Sequence, residues 1–280
     1  MLVFILRRLV QSALALLITL VLVFVGVFAI GDPISILINP EADQAEIARA
    51  TAALGLDRPL WVQFWDFLRN ALSGDLGRSF SHNVPAVELI FERMPATVEL
   101  ALAAMLMAIV LGIPLGVVAG LKPHSWFGKS IMAGSILGFS LPTFWVGLML
   151  IMVFSVYLGW LPATGQGRTT LLLGVPVSVL NGDGLMHLLM PALNLALFKL
   201  SLLIRLTRAG TREAMLQDYV KFARAKGLTM RRIVLVHVLK NIMIPIVTVI
   251  GLEFGSVIAF SIVTETIFAW PGMGKLLIDS

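Results

Sequence analysis

The chain has 280 residues, 58% of them apolar, and a mean hydropathy of +0.94, well above soluble proteins, where apolar usage runs about 45–50% and charged about 25%. Charged residues make up only 13%, and 21 bases against 16 acids leave a net charge of +5 whose placement, described below, follows membrane topology rather than a nucleic-acid surface. With no cysteine, disulfide scaffolds, thiolate metal sites and cysteine nucleophiles are excluded.

A spanning helix needs about 20 consecutive apolar residues. Residues 1–30 hold the first candidate: Leu9 to Ile30 carries no charge. Its apolar run is longer than the 7–15 residues of a signal-peptide core and no A-x-A site follows, so it reads as an uncleaved first span. Residues 31–99 form an outer segment with ten acids against five arginines. Within it, Leu60, Trp61, Phe64, Trp65, Leu68 and Leu72 recur at helical spacing, which fits a helix lying in the interface with tryptophan at headgroup depth. Residues 100–280 hold the remaining spans, expected at about 100–121, 131–158, 185–206 and 241–264. Between the last two lies an inner loop, 207–240. From Arg205 to Lys240 there are nine bases against Glu213 and Asp218. Arg7 and Arg8 place the N-terminus inside, and the signs then alternate as topology demands. The expectation is an all-α polytopic bundle of five spans, with 31–99 and 265–280 outside.

Gly120 to Ser130, GLKPHSWFGKS, mimics the end of a phosphate-binding loop. The glycine such a loop needs five positions before its GK glycine is here Pro123, which has no N–H, so an ATP site is excluded. His82, His124, His187 and His237 are scattered singly and suggest no metal site. Gly112, Gly116 and Gly120 form a small-residue face for close helix packing, with the pairs Gly134/Gly138 and Gly251/Gly255 repeating the spacing. Pro114, Pro142 and Pro191 imply kinks.

Glu213 to Gly227, EAMLQDYVKFARAKG, is amphipathic and ends at a glycine. Small Ala223 and Ala225 with protruding Tyr219 and Phe222 suit a short helix seated in a partner's groove. A basic loop on anionic lipid would share much of this pattern, and the pattern alone leaves both open. Two charges interrupt spans, Lys199 and Glu253. Counted from Arg205 and Pro245, both lie about 10 Å from the cytoplasmic end. Either Lys199 snorkels to the headgroups with Glu253 protonated, or the two pair beside a pathway, or one of them touches solute or a companion subunit.

DYVKFARAKGL from Asp218 to Leu228, with HVLKNIMIP from His237 to Pro245, closely resembles the coupling loop of permease subunits of binding-protein-dependent ABC importers of the dipeptide, oligopeptide, glutathione and nickel group. The resemblance extends through FILRRL at Phe4 to Leu9, GDP at Gly31 to Pro33, LGLDRPLWVQF from Leu54 to Phe64, GDLGRSF from Gly74 to Phe80, PATVEL from Pro95 to Leu100, SLPTFW from Ser140 to Trp145 and TETIFAWPGMGKLLIDS from Thr264 to Ser280.

The resemblance implies a type I permease fold in the bacterial inner membrane. Its partners would be a homologous second permease, two ATPase subunits and a periplasmic solute-binding protein, besides membrane lipid; no nucleic acid is expected. The chain would not be an enzyme and would bind no cofactor, ATP and Mg²⁺ being held by the partners. Glu213, Asp218, Tyr219, Phe222, Ala223, Arg224, Ala225, Lys226 and Gly227 would couple to the ATPases. Glu265, Trp270, Pro271 and Gly272 would sit near an outer gate, with Lys199 and Glu253 on the pathway. The family usually continues past LIDS into a further span, so a sixth helix is expected beyond Ser280. It also commonly has glutamine at the position of Glu253 and an uncharged residue at that of Lys199. Short peptides are the implied solute, with nickel chelates, glutathione or opine-like solutes as alternatives. A secondary transporter or channel would need internal repeats, and a membrane-embedded hydrolase or methyltransferase a catalytic dyad at bilayer depth; neither is evident.

Overall fold

The structure, a computed structural model, describes residues 2–26, 44, 51–52, 55–79, 82 and 84–280. The end of the first span at 27–30, the GDP motif at 31–33, Leu54 and Phe80 lie outside these residues. The chain divides into two units, residues 1–89 with Ser280 and residues 90–279.

In the first unit, α1 (Leu2–Phe24) is exposed along nearly its whole length. Its last residue, Phe24, is buried, with its ring edge-on to Phe64 at 5.2 Å. Phe64 belongs to α2 (Leu60–Leu72), which starts after Pro59 and leaves Trp61, Trp65 and Leu72 open. At the end of α2, Gly74 supplies the positive φ that turns the chain away from the helix.

In the second unit the helices exceed the expected spans because a helix need not stop where the lipid does. Helix α3 (Ala86–Leu121) begins well before the expected boundary at residue 100. Helix α6 (Gly182–Leu216) and helix α8 (Met230–Ala259, π-helical from Ile233 to Val238) run far into the segment read as an inner loop. That loop is reduced to α7 (Asp218–Ala225) and its flanking turns. Arg208, Arg212, Arg231 and Arg232 read as loop residues by charge, yet arginine is a good helix former.

The third span is not the straight helix expected from 131 to 158. Helix α4 (Trp126–Ser140) and α5 (Thr143–Leu150, continuing π-helically to Tyr157) meet at 107°. Pro142 explains the break: it donates no hydrogen bond and forces the preceding Leu141 into extended backbone, at φ −81° and ψ 135°. The GKS sequence falls in the first turn of α4, where Ser125 caps the helix by accepting from the Gly128 N–H at 3.0 Å. Gly128 lies against the Lys122 carbonyl, too close to admit a side chain.

The core is built on the seam between α3 and α6 and continues into Val220 and Ala223 of α7, Ile233, Val238, Ile242, Ile246 and Val257 of α8, and Trp270. A Cβ at Gly116 would lie 2.5 Å from Thr207 Cβ and 2.8 Å from the Ile204 carbonyl oxygen, and one at Gly120 would lie 2.7 Å from Thr211 Cβ. Gly112 meets Leu203 in the same way. Glycines four apart thus face Leu203, Thr207 and Thr211, also four apart, and the two backbones approach as closely as small residues allow. Gly138 packs on Ser201, whereas Gly134, Gly251 and Gly255 meet nothing within 4 Å.

Between α5 and α6, strands β1 (Thr170–Leu172) and β2 (Val175–Val177) form an antiparallel hairpin. Its turn residues Leu173 and Gly174 both have positive φ, the primed-turn geometry that suits strand twist. The described chain closes with α9 (Ile262–Ile267) and α10 (Met273–Asp279).

Candidate functional site: a short connecting helix, a buried charge pair and a carboxylate hub

Helix α7 is held between the ends of α6 and α8 by Val220 and Ala223, which are buried. Gly227, at φ 75°, ends it: the Gly227 N–H donates to Arg224 O at 2.9 Å and the Leu228 N–H to Ala223 O at 3.2 Å. Asp218, Phe222, Arg224, Ala225, Lys226 and Gly227 are exposed, as is Glu213 at the end of α6. Tyr219 differs from the expectation of a protruding ring, since it packs against the core. Phe222 does protrude, at 63% exposure, with the Lys226 ammonium 4.6 Å from its ring centroid. The result is a short helix with an apolar knob and a basic rim.

The second cluster joins α6 to α8. Lys199 Nζ donates to Glu253 Oε2 and, at 2.6 Å, to Ser256 Oγ. Ser256 Oγ donates in turn to Glu253 Oε2 at 2.9 Å. Lys199 is buried and Glu253 half-buried, so snorkelling toward the headgroups is replaced by pairing. Lys199 stands at the midpoint of α6, and the adjoining Leu200 and Leu203 pack against Gly112, halfway along the charge-free stretch of α3.

The third cluster is a hub around Glu265, whose side chain is fully buried. Its carboxylate accepts from Thr97 Oγ1 at 2.7 Å, Ser261 Oγ at 2.9 Å, and the backbone N–H groups of Gly274 at 2.7 Å and Lys275 at 3.1 Å. Trp270, also fully buried, donates through Nε1 to the Ala96 carbonyl at 2.8 Å. Gly272 touches the Glu265 carboxyl so closely that no side chain fits. Glu265, Trp270 and Gly272, expected near a gate, are therefore sealed within the chain, and Pro271 is half-buried beside them. Ion pairing is not what holds this carboxylate; four hydrogen bonds do.

Two further residues at this end of the bundle are not singled out by the sequence. Glu99 Oε1 accepts from the Ser178 and Val179 N–H groups at 2.6 and 2.8 Å, pinning the loop after the hairpin to α3. Asn194 Nδ2 donates to Thr264 Oγ1 at 3.0 Å, tying α6 to α9. Glu99 lies in the PATVEL motif with Thr97, and an acid immediately before a charge-free run is the available signal. Among the described residues no three His, Asp or Glu converge as metal ligands.

The family described as binding-protein-dependent transport system inner membrane component matches residues 112–280, and its N-terminal counterpart matches residues 1–101. The chain belongs to this family. Among curated members, the di/tripeptide transport system permease protein DppB of Pseudomonas aeruginosa is 42% identical over 89% of the chain and 78% of its own length. The dipeptide transport system permease protein DppB of Escherichia coli is 38% identical over the whole chain and 88% of its own length. The glutathione transport system permease protein GsiC of Salmonella typhimurium is equally similar, 38% over the whole chain and 87% of its own length. These relatives are permease proteins of transport systems. A solved structure of the MetNI methionine ABC transporter in an inward-facing conformation has a chain that matches with a TM-score of 0.50 at 16% identity, over 68% of this chain and 78% of that one. The likeness is one of fold, and this chain is helical, with four helices long and apolar enough to cross a membrane among the described residues, or five counting the bent pair α4–α5.

Proposed function

We propose that this chain is the membrane-spanning half of an ATP-driven importer that carries short peptides across the bacterial inner membrane, N-terminus inside, alongside a homologous second permease. Two ATPase subunits, which hold ATP and Mg²⁺, would bind from the cytoplasm, and a solute-binding protein would deliver solute from the periplasm. The chain itself performs no hydrolysis. The observation that carries the reading is α7: a short helix fixed by Val220 and Ala223, stopped at Gly227, and presenting Phe222 beyond the ends of two long helices. Such a knob transmits rigid-body motion because its own base cannot shift independently of α6 and α8. The loaded binding protein and the nucleotide-bound ATPases favour different states of the permease, and that differential affinity drives alternating access.

Peptides are the preferred solute because both DppB relatives are named for di- or tripeptide transport. Glutathione, itself a modified tripeptide and named for GsiC, is the second reading. Reconstitution of the assembled importer in proteoliposomes tests both. ATP-dependent accumulation of a labelled dipeptide supports the peptide reading, accumulation of glutathione alone supports the second, and ATP-independent flux by the chain alone contradicts the importer.

A further inference from the structure

A continuous strip of aromatic and charged side chains crosses α4, α6 and α8. The Arg205 guanidinium lies 4.5 Å from the centroid of Phe139, Phe139 stacks on Phe198 at 4.7 Å, and the Lys199 ammonium sits 5.3 Å from the Phe198 centroid while bonding Glu253 and Ser256. Phe198 and Arg205 are seven positions apart, on one face of α6, and Phe139 and Phe198 remain 43% and 36% exposed. Two charged groups on this strip have unused capacity. Lys199 and Ser256 both bond Glu253 Oε2, and among the described residues Oε1 accepts nothing. Arg205 donates from Nε to the Ser201 carbonyl at 3.3 Å, but its terminal N–H groups meet no carboxylate among the described residues. Charges at this depth face a bundle interior or a water-filled cavity rather than lipid.

From Lys199 to Arg205 the helix rises about 9 Å. An extended peptide of two or three residues covers about 7–11 Å. We propose that this strip is a solute-recognition station of the translocation path. The Glu253 carboxylate takes the ammonium terminus of a di- or tripeptide, Arg205 takes its carboxylate terminus, and the Phe139–Phe198 shelf receives the apolar side chain between them. Lys199 is a positioning residue: its bond to Oε2 holds the Glu253 carboxyl group in place. A guanidinium stacked on a ring keeps its edge N–H groups free for bidentate carboxylate binding, which lysine could not reproduce. The inference rests on the importer reading and specifies the substrate chemistry that the path accepts.

The test compares the reconstituted importer with its Arg205→Gln and Glu253→Gln variants on three labelled dipeptides: free, C-amidated and N-acetylated. The binding protein is the same throughout, so its own preference cancels in the ratios. Arg205→Gln should raise the KM for the free peptide about tenfold and leave that for the amide near wild type; Glu253→Gln should do the same for free against acetylated peptide. Equal losses on free and blocked peptides would overturn the proposal, as would loss of the companion permease from the purified complex, which would make the strip a subunit contact. If wild type accumulates no peptide, the importer's proposed substrate falls. A photoreactive dipeptide then still decides the strip: crosslinks to Phe139 or Phe198 support it, and their absence refutes it.

Discussion

Two carboxylates in the second unit are handled in opposite ways. Glu265 has no accessible surface and four hydrogen-bond donors drawn from Thr97, Ser261, Gly274 and Lys275. Glu253 is half-buried, with its two donors on one oxygen. A carboxylate surrounded by fixed donors resists any change of position, because each bond broken leaves a buried polar atom. A carboxylate with one oxygen open can exchange partners. The contrast separates a framework around Glu265 from a responsive cluster around Lys199 and Glu253, and the same contrast distinguishes the α3–α6 seam from the open Gly251 and Gly255 of α8.

Six single substitutions and one double change sharpen that contrast; apart from Gly251→Ala, which serves as the neutral control for Gly116→Val, they run from the largest effect to the smallest. Glu265→Leu should be the most damaging, costing about 3–5 kcal/mol, because it strands the donors that converge on the carboxylate; thermal unfolding of the detergent-solubilised complex measures it. Gly116→Val should cost about 2–4 kcal/mol by driving α3 off Thr207 and Ile204. Gly251→Ala, in open space, should leave the stability of this chain unchanged in the same assay. Lys199→Leu should cost about 2–3 kcal/mol and Glu253→Leu a similar amount, while the double substitution should cost less than either, since one buried charge without its partner is worse than none. Strictly additive losses would show that the pair is not a coupled unit. Gly227→Ala should cost about 1 kcal/mol through its left-handed backbone alone, there being no atom for the new methyl to strike.

The spans were legible in the sequence because charge-free runs are a local signal, and the 112–116–120 glycine face because its period is local too. Pro142 was visible in the third run, but the 107° bend depends on what α4 and α5 each pack against, which no window of sequence contains. Charged residues hid the true lengths of α6 and α8, since membrane hydropathy reports where lipid ends and not where a helix does. In the candidate site, the chemistry of α7 was readable from its small residues and terminal glycine, and only the inward turn of Tyr219 escaped. The hub was not readable as a hub: Thr97 and Glu265 lie 168 positions apart, and nothing local ties a threonine in α3 to a carboxylate in α9. Lys199 and Glu253 were singled out by their cost in a span, and their common depth followed.

The central claim is that α7 seats in an ATPase subunit, and a photo-crosslinking amino acid at Phe222 tests it most directly. In the assembled complex, mass spectrometry of the adduct should identify an ATPase chain, and the same probe at the core-packed Tyr219 should give markedly less. An adduct at Phe222 with lipid alone, or none in a complex that still transports, would contradict the docking role.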